Sequence, residues 1–296
     1  MNNIPMPGTI GGAKLNFSNT RVPLSMNKIG IIGLGFVGGA IKESMFLREY
    51  DIQLVLVDPA KGETGTYKDL KDCDGVFVCV PTPQDLDGTC DTRPLEGVLT
   101  QLKAINYHGV IISKCTAPPS TYEKLNEEFP NLVHVPEFFT ATHAVRAVLD
   151  YARESFAIIG GRVKAYQKEA ERIIRLGQEN LGDNVQYCSI GEASLAKYTI
   201  NTFLATKVVF MNELYSIASA SGIDYNKVVS MVRMDKRIGY SHMQVPGPDE
   251  LFGFGGDCFP KDTSALLKYA ESLNLTPMVL AAAIKKNTFL RLTEPK

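Results

Sequence analysis

The chain has 296 residues, 45% of them hydrophobic, enough for a sizeable core split over two modest domains or gathered in one large one. Its formal net charge of −1 and lack of a long basic run give no general attraction for nucleic acid or an anionic membrane, and no apolar run reaches the ~20 residues of a membrane span. Six scattered cysteines without a C-x-x-C pair, and no signal peptide, predict a reducing, cytoplasmic setting. His108, His134, His143 and His242 stand apart, without the spacing of a metal site.

Residues 1–26 carry Pro5, Pro7, Gly8, Gly11, Gly12 and Pro23 with little periodicity, which predicts a flexible arm. Lys28–Ile32 then reads as a short apolar strand running into Gly33-Leu34-Gly35-Phe36-Val37-Gly38 and a helix through Ala40, Ile41, Met45 and Leu47. A second strand, Ile52–Val57, ends at Asp58, twenty positions past Gly38. This is the strand, G-x-G-x-x-G, helix, strand, acid order of a dinucleotide site. Glycines allow the tight turn and the approach of a pyrophosphate to a helix N-terminus. Asp58 can accept from both adenosine ribose hydroxyls and repels a 2′-phosphate, so NAD is expected over NADP.

Four further buried strands are expected at 76–80, 109–114, 132–135 and 155–159, ending at Pro81-Thr82, Cys115-Thr116, Pro136-Glu137 and Gly160. Helical patterns lie between them, around 94–104, 119–128 and 142–149. The alternation predicts a Rossmann-like α/β unit over 27–188, a doubly wound parallel sheet with ligands at the strands' carboxyl ends. From Ser189 the pattern changes. Ser189-Ile190-Gly191-Glu192 fits a capping box, and the proline-free stretch 193–221 predicts one helix roughly 45 Å long. More helix is expected at 224–232, 260–272 and 277–292, so residues 189–296 read as an all-helical domain built on that long element. It is too long and too apolar for its neighbours to cover, which predicts a two-fold pair of such helices in a homodimer.

Two patterns carry chemistry. Lys197 and Asn201 sit one helical turn apart among Leu195, Ala196, Tyr198, Ile200 and Phe203, an apolar setting in which a buried lysine needs an anionic partner or a role. Cys258 lies between a glycine-rich loop and the proline-started helix that opens at Pro260. A helix N-terminus and the neighbouring Lys261 favour a thiolate there, while Gly255 and its neighbours let a substrate approach the backbone. The position alone fits a nucleophile and a small buried cysteine under a tight loop equally well.

The full string F-G-F-G-G-D-C-F-P-K-D closely resembles the cysteine motif of the nucleotide-sugar 6-dehydrogenases, the UDP-glucose and GDP-mannose dehydrogenase family. G-L-G-F-V-G, V-P-T-P with Asp87-Gly88, C-T-A-P-P, V-P-E-F, A-K-Y-T-I-N and K-R-I-G are similar to that family's blocks, in its order. The resemblance implies Cys258 as nucleophile and Glu137 as the carboxylate handling the attacking water. It implies Lys197 and Asn201 as sugar-site groups, Thr116 and Asp262 as positioning the water and supporting proton transfer, and Thr82 and Lys261 beside the cofactor. Arg237, in the R-I-G block, is left to meet a substrate diphosphate. The implied reaction is a four-electron, NAD-dependent oxidation of a nucleotide sugar, UDP-glucose first among candidates, to the uronate through a thiohemiacetal and a thioester on Cys258.

Three departures accompany the resemblance. An acidic contact expected at position 141 is Ala141, the stretch 245–251 is longer than usual, and the family's third, nucleotide-binding domain has no counterpart before Lys296. A β-hydroxyacid dehydrogenase would share the length, the architecture and the lysine–asparagine pair, but it has no need of the cysteine loop. A non-catalytic NAD-binding relative is the remaining alternative.

Overall fold

The computed structural model describes residues 27–47, 51–139 and 144–293; the arm expected at 1–26 and Ala141 lie outside the described residues. The described strands are β1 (Asn27–Ile32), β2 (Ile52–Val57), β3 (Gly75–Val78), β4 (Val110–Ser113), β5 (Leu132–His134), β6 (Ala157–Gly160) and β7 (Val185–Cys188). They form one sheet in the order β2-β1-β3-β4-β5-β6-β7. Around the sheet lie α1 (Phe36–Phe46), α2 (Arg93–Ala104), α3 (Pro119–Glu128), α4 (Ala144–Ala152) and α5 (Lys164–Ile174). Beyond it come α6 (Ile190–Ala220), α7 (Tyr225–Val232), α8 (Phe259–Ser272) and α9 (Met278–Thr293).

Strands β3 and β4 are buried at every position, as their unbroken apolar runs require when helices cover both faces. The two-residue side-chain period divides the core. Val76, Val78, Ile111 and Leu132 pack with Leu95, Leu99 and Leu102 of α2 and Tyr122 and Leu125 of α3. Phe77, Val110, Ile112 and Val133 pack on the opposite face with Ile41 and Met45 of α1 and Ile173 and Ile174 of α5.

The sheet departs from the expected all-parallel arrangement at one place, where β5 and β6 pair antiparallel through His134 and Gly160. Helix α4 packs on α1, and the chain enters β6 from the carboxyl edge of β5 instead of crossing back to the other edge. Strand β7 then follows β6 in parallel through α5. No element is expected from local pattern between Gly161 and Ser189, where α5 and β7 lie. There β7 is a half-buried strand of four residues, too short for alternation to distinguish it from a loop.

The predicted capping box is present. Ser189 Oγ accepts from Glu192 N at 3.2 Å, and Ser189 N donates to the Glu192 carboxylate at 2.7 Å. From this cap α6 runs 31 residues, roughly 46 Å at 1.5 Å per residue. It packs first on β5, β6 and α3, then on α7, α8 and α9. One helix therefore bridges the sheet and the helical region, and the side chains of its first turns lie where the two meet. Phe203, Phe210 and Ile217, seven apart along α6, remain 66%, 56% and 60% exposed.

The seat of α6 on the sheet depends on Gly160. A Cβ there would lie 2.5 Å from Ala193 Cβ and 2.8 Å from Ser189 O. Gly160→Val should therefore lower stability by about 1–3 kcal/mol, the usual cost of overpacking. A urea denaturation midpoint unchanged from wild type would contradict this packing.

Candidate active site

Ser113, the last residue of β4, pairs in register with His134 of β5. Thr116 and Glu137 each lie three residues beyond these partners, so both leave the carboxyl edge of the sheet side by side. Thr82, beyond the end of β3, joins them, its hydroxyl donating to the Thr116 carbonyl at 2.7 Å. Ser194 of α6 donates to the carbonyl of Ala117 at 2.6 Å, which docks the start of the long helix on the same loop.

One turn further along α6, Lys197 Nζ donates to Glu137 Oε1 at 2.8 Å and also to the Glu137 carbonyl oxygen. The two side chains are only 4% and 13% exposed. Burial alone would raise the Glu137 carboxyl, but the Lys197 ammonium, the Phe139 N–H and the charge of Lys114 outweigh it and hold it below its ordinary value. Asn201, the next turn of α6, donates from Nδ2 to Asp262 Oδ2 at 2.6 Å, and Lys261 Nζ donates to Asp262 Oδ1 at 2.5 Å. The burial predicted for Lys197 and Asn201 is observed, each with a carboxylate within reach.

Cys258 is the N-cap residue of α8, with Pro260 in the first turn and Asp262 N donating to the Cys258 carbonyl at 2.8 Å. Its thiol environment differs from the sequence expectation. Packing around the thiol and the Glu137 and Asp262 carboxylates push its pKa up, against the opposing pull of Lys197 and Lys261. Lys261 spends much of its effect on Asp262, to which it is paired.

The glycine loop ahead of Cys258 is held from two helices. Gly253, at φ +75°, donates to Asn212 Oδ1 of α6 at 3.1 Å. Asn287 of α9 accepts from Phe254 N at 2.6 Å and donates to the Phe254 carbonyl at 3.0 Å, which also accepts from Arg291 Nε at 3.0 Å. Gly255 lies under Arg291, where a Cβ would stand 2.6 Å from Nη2. Asn287 and Arg291 escape sequence reading because nothing in α9 distinguishes them from surface polar residues. Lys114 escapes it too, although a lysine closing an apolar strand is a visible signal.

At the first βα turn, Gly33 has φ +85°, and a Cβ on Gly38 would collide with the Gly33 carbonyl oxygen. Gly35 caps α1 without a side-chain hydrogen bond, and no acidic residue occupies the first turn, so the helix N-terminus is left to an anion. Asp58 stands at the mouth of this turn and accepts from Leu34 N at 2.7 Å. Phe36 and Val37 open α1, and the Phe36 ring meets Phe139 edge-on at 6.3 Å, beside the Glu137 loop. Free backbone donors for a diphosphate and a carboxylate placed for ribose hydroxyls fit NAD.

Arg237 is not brought to this cluster. Its exposed guanidinium rests on Asp235 at 2.6 Å, and among the described residues it shares no hydrogen bond with the other site groups. No cluster of metal ligands exists among the described residues, and no described helix is long and apolar enough to cross a membrane.

Two family models match the chain. Residues 59–176 match the NAD binding domain, and 191–288 the central domain, of the UDP-glucose/GDP-mannose dehydrogenase family. The chain belongs to that family. NAD is accordingly the cofactor of its sheet-based half. The UDP-glucose 6-dehydrogenase of Pseudomonas aeruginosa is 32% identical over 233 residues, an alignment covering 74% of this chain and 49% of that protein. A solved UDP-glucose dehydrogenase from Pyrobaculum islandicum superposes with a TM-score of 0.74 at 25% identity, over 90% of this chain and 70% of that one. The chain spans about half the length of the curated relatives it matches. The 3-hydroxyisobutyrate dehydrogenase of Mycobacterium tuberculosis shares the fold alone, with a TM-score of 0.64 at 13% identity, covering 89% of this chain and 94% of that one.

The buried pair makes a thermodynamic prediction. Lys197→Met leaves Glu137 an under-compensated buried anion, which should cost about 3–5 kcal/mol at neutral pH, and adding Glu137→Gln should recover much of it. Because the native Glu137 pKa lies below its unfolded value, its stabilisation is present above the unfolded value and fades as pH falls through the native one. The variant should lose that dependence. Parallel stability–pH curves for wild type and Lys197→Met in urea melts would contradict the assignment.

Proposed function

We propose that this chain oxidises the primary alcohol of a nucleotide sugar to a carboxylate in two NAD-dependent steps, with UDP-glucose the first substrate to test. The reading rests on one observation above others. The cysteine that caps α8 shares a junction with the Lys197–Glu137 and Asn201–Asp262 pairs, at the edge of the sheet that presents Thr82 and Thr116. On this reading residues 27–188 form the cofactor domain and 189–296 the domain that carries the nucleophile.

Gly33, Gly35 and Gly38, with Asp58, would hold NAD, which would supply the hydride acceptor for each oxidation. Lys197 donates a hydrogen bond to the substrate oxygen while the alcohol proton passes through water to the Asp262 carboxylate, which Asn201 holds in place. The Cys258 sulfur then bonds to the aldehyde carbon, and its proton passes to the carbonyl oxygen, giving a thiohemiacetal. Loss of a second hydride from carbon and of the hydroxyl proton leaves a thioester. Water, held by Thr116 and deprotonated by Glu137, cleaves the C–S bond and returns the thiol. The raised thiol pKa suits this order, because the Cys258 proton is transferred to the carbonyl oxygen as the C–S bond forms.

The β-hydroxyacid reading uses the same lysine and asparagine but leaves the Cys258 loop, and the three side chains that brace it, without a task. A non-catalytic relative would have no use for two aligned charge pairs around a cysteine. A two-fold dimer through the exposed face of Phe203, Phe210 and Ile217 completes the proposal, in a cytoplasmic protein. Arg237 lies on the exposed loop after α7, where it is available to a substrate diphosphate only after leaving Asp235.

Purified protein given UDP-glucose and NAD should form two NADH per sugar and release little aldehyde. Cys258→Ala should lose uronate formation and keep NAD binding. One NADH per sugar from wild type, or full uronate yield from Cys258→Ala, would refute the nucleophile assignment. Sedimentation checks the assembly: wild type should run as a dimer at micromolar concentration and Phe210→Asp as a folded monomer. A monomeric wild type would refute the dimer.

A further inference from the structure

Lys114 is 4% exposed, and its Nζ is buried without a hydrogen-bond partner. An ammonium in that position loses its hydration and gains only a ring contact in return, which is costly unless its charge is used. It follows the last residue of β4 directly, and its backbone N–H donates to the Val78 carbonyl at 2.9 Å, so the strand fixes where its side chain starts. The Nζ lies 5.5 Å from the centre of the Tyr151 ring. Tyr151 meets Phe139 edge-on at 5.9 Å, and the Phe139 N–H donates to Glu137 Oε2 at 3.0 Å. Lys114 is therefore linked to the Glu137 loop through the Tyr151 and Phe139 rings.

The charged and titratable groups around this cation come from four elements. Glu154, just past α4, is its strongest anionic neighbour, followed by Glu137 after β5, with the Cys79 thiol after β3, its pKa raised by burial, alongside and Lys197 of α6 opposing. Glu154 makes no hydrogen bond to Lys114. Its Oε2 accepts from Gln178 Nε2 at 2.6 Å, while its Oε1 is buried without a partner. Burial lowers the Lys114 pKa and raises that of Glu154, so each resists charge and each is helped by the other.

We propose that Lys114 is a positioning residue that keeps the Glu137 carboxylate charged while Lys197 turns its hydrogen bonds to the substrate. This rests on the reading of Glu137 as the group that deprotonates water. With only Lys197 nearby, Glu137 would lose its counter-charge at the step in which Lys197 serves the substrate oxygen, and a buried carboxylate without one takes up a proton. A second cation, fixed in the strand edge and unable to reach the substrate, prevents that. Glu154 sets how much of the Lys114 charge Glu137 feels.

The test uses the full chain and two readouts. Isotope-edited infrared titration, with Glu137→Gln as the subtraction standard, follows the Glu137 carboxylate without substrate. The pH profile of kcat with UDP-glucose and NAD follows it in turnover. Lys114→Met should move the infrared midpoint and the acid limb of kcat upward by at least about one pH unit, a tenfold change in ionisation constant. Lys114→Arg should restore both. Glu154→Gln should move both downward, and it decides the matter if Lys114→Met fails to fold. A folded Lys114→Met with an unshifted midpoint, or a Glu154→Gln without a downward shift, overturns the proposal. Infrared shifts as expected in a protein that does not oxidise any nucleotide sugar would keep the positioning role and discard the proposed function.

Discussion

The contact on which the site depends is the buried ion pair between Lys197 and Glu137. It joins the longest helix to the carboxyl edge of the sheet, and neither charge has another full partner in that low-dielectric junction. A buried pair of this kind adds little net stability compared with well-packed apolar residues, yet losing one member is expensive. Its value lies in register. If α6 shifted by one residue, Lys197 would leave Glu137 and Asn201 would leave Asp262 together, because the two sit one turn apart on the same face. The capping box at Ser189 and the close contact at Gly160 fix that register from the start of the helix.

The second constraint concerns the cysteine loop. It carries no regular structure of its own, and side chains brought from α6 and α9 hold its backbone. The effect is to place Cys258 at the start of α8 in a field of opposed charges, two carboxylates against two ammonium groups. A helix N-terminus by itself would make the thiol acidic. Here packing and the carboxylates outweigh the ammonium groups and push the thiol pKa up.

The two halves of the site are also joined away from these charges. Ser264, within α8, donates to the Gly88 carbonyl at 2.9 Å and accepts from Gln84 Nε2 at 3.1 Å. The loop after β3, which carries Thr82, is thereby tied to the helix that Cys258 caps. Cofactor-side and cysteine-side groups are held at a fixed separation by contacts that take no part in the chemistry.

Local pattern was enough for much of this. The apolar runs of β1 to β4, the G-x-G-x-x-G turn ending its βαβ unit at Asp58, the capping box at Ser189 and the proline-started α8 after Cys258 all depend on interactions a few residues apart, so the sequence displays them directly. The pairing of Lys197 and Asn201 on one helix face was legible for the same reason, since helical geometry fixes it. What tertiary structure alone decided involves partners far apart in the chain. The antiparallel turn of β6 follows from where α4 packs, not from any residue in β6. The bracing of the cysteine loop by Asn287 and Arg291, the upward push on the Cys258 thiol and the burial of Lys114 without a hydrogen-bond partner arise because burial and charge are properties of the assembled surroundings. No stretch of sequence contains them until the chain has folded.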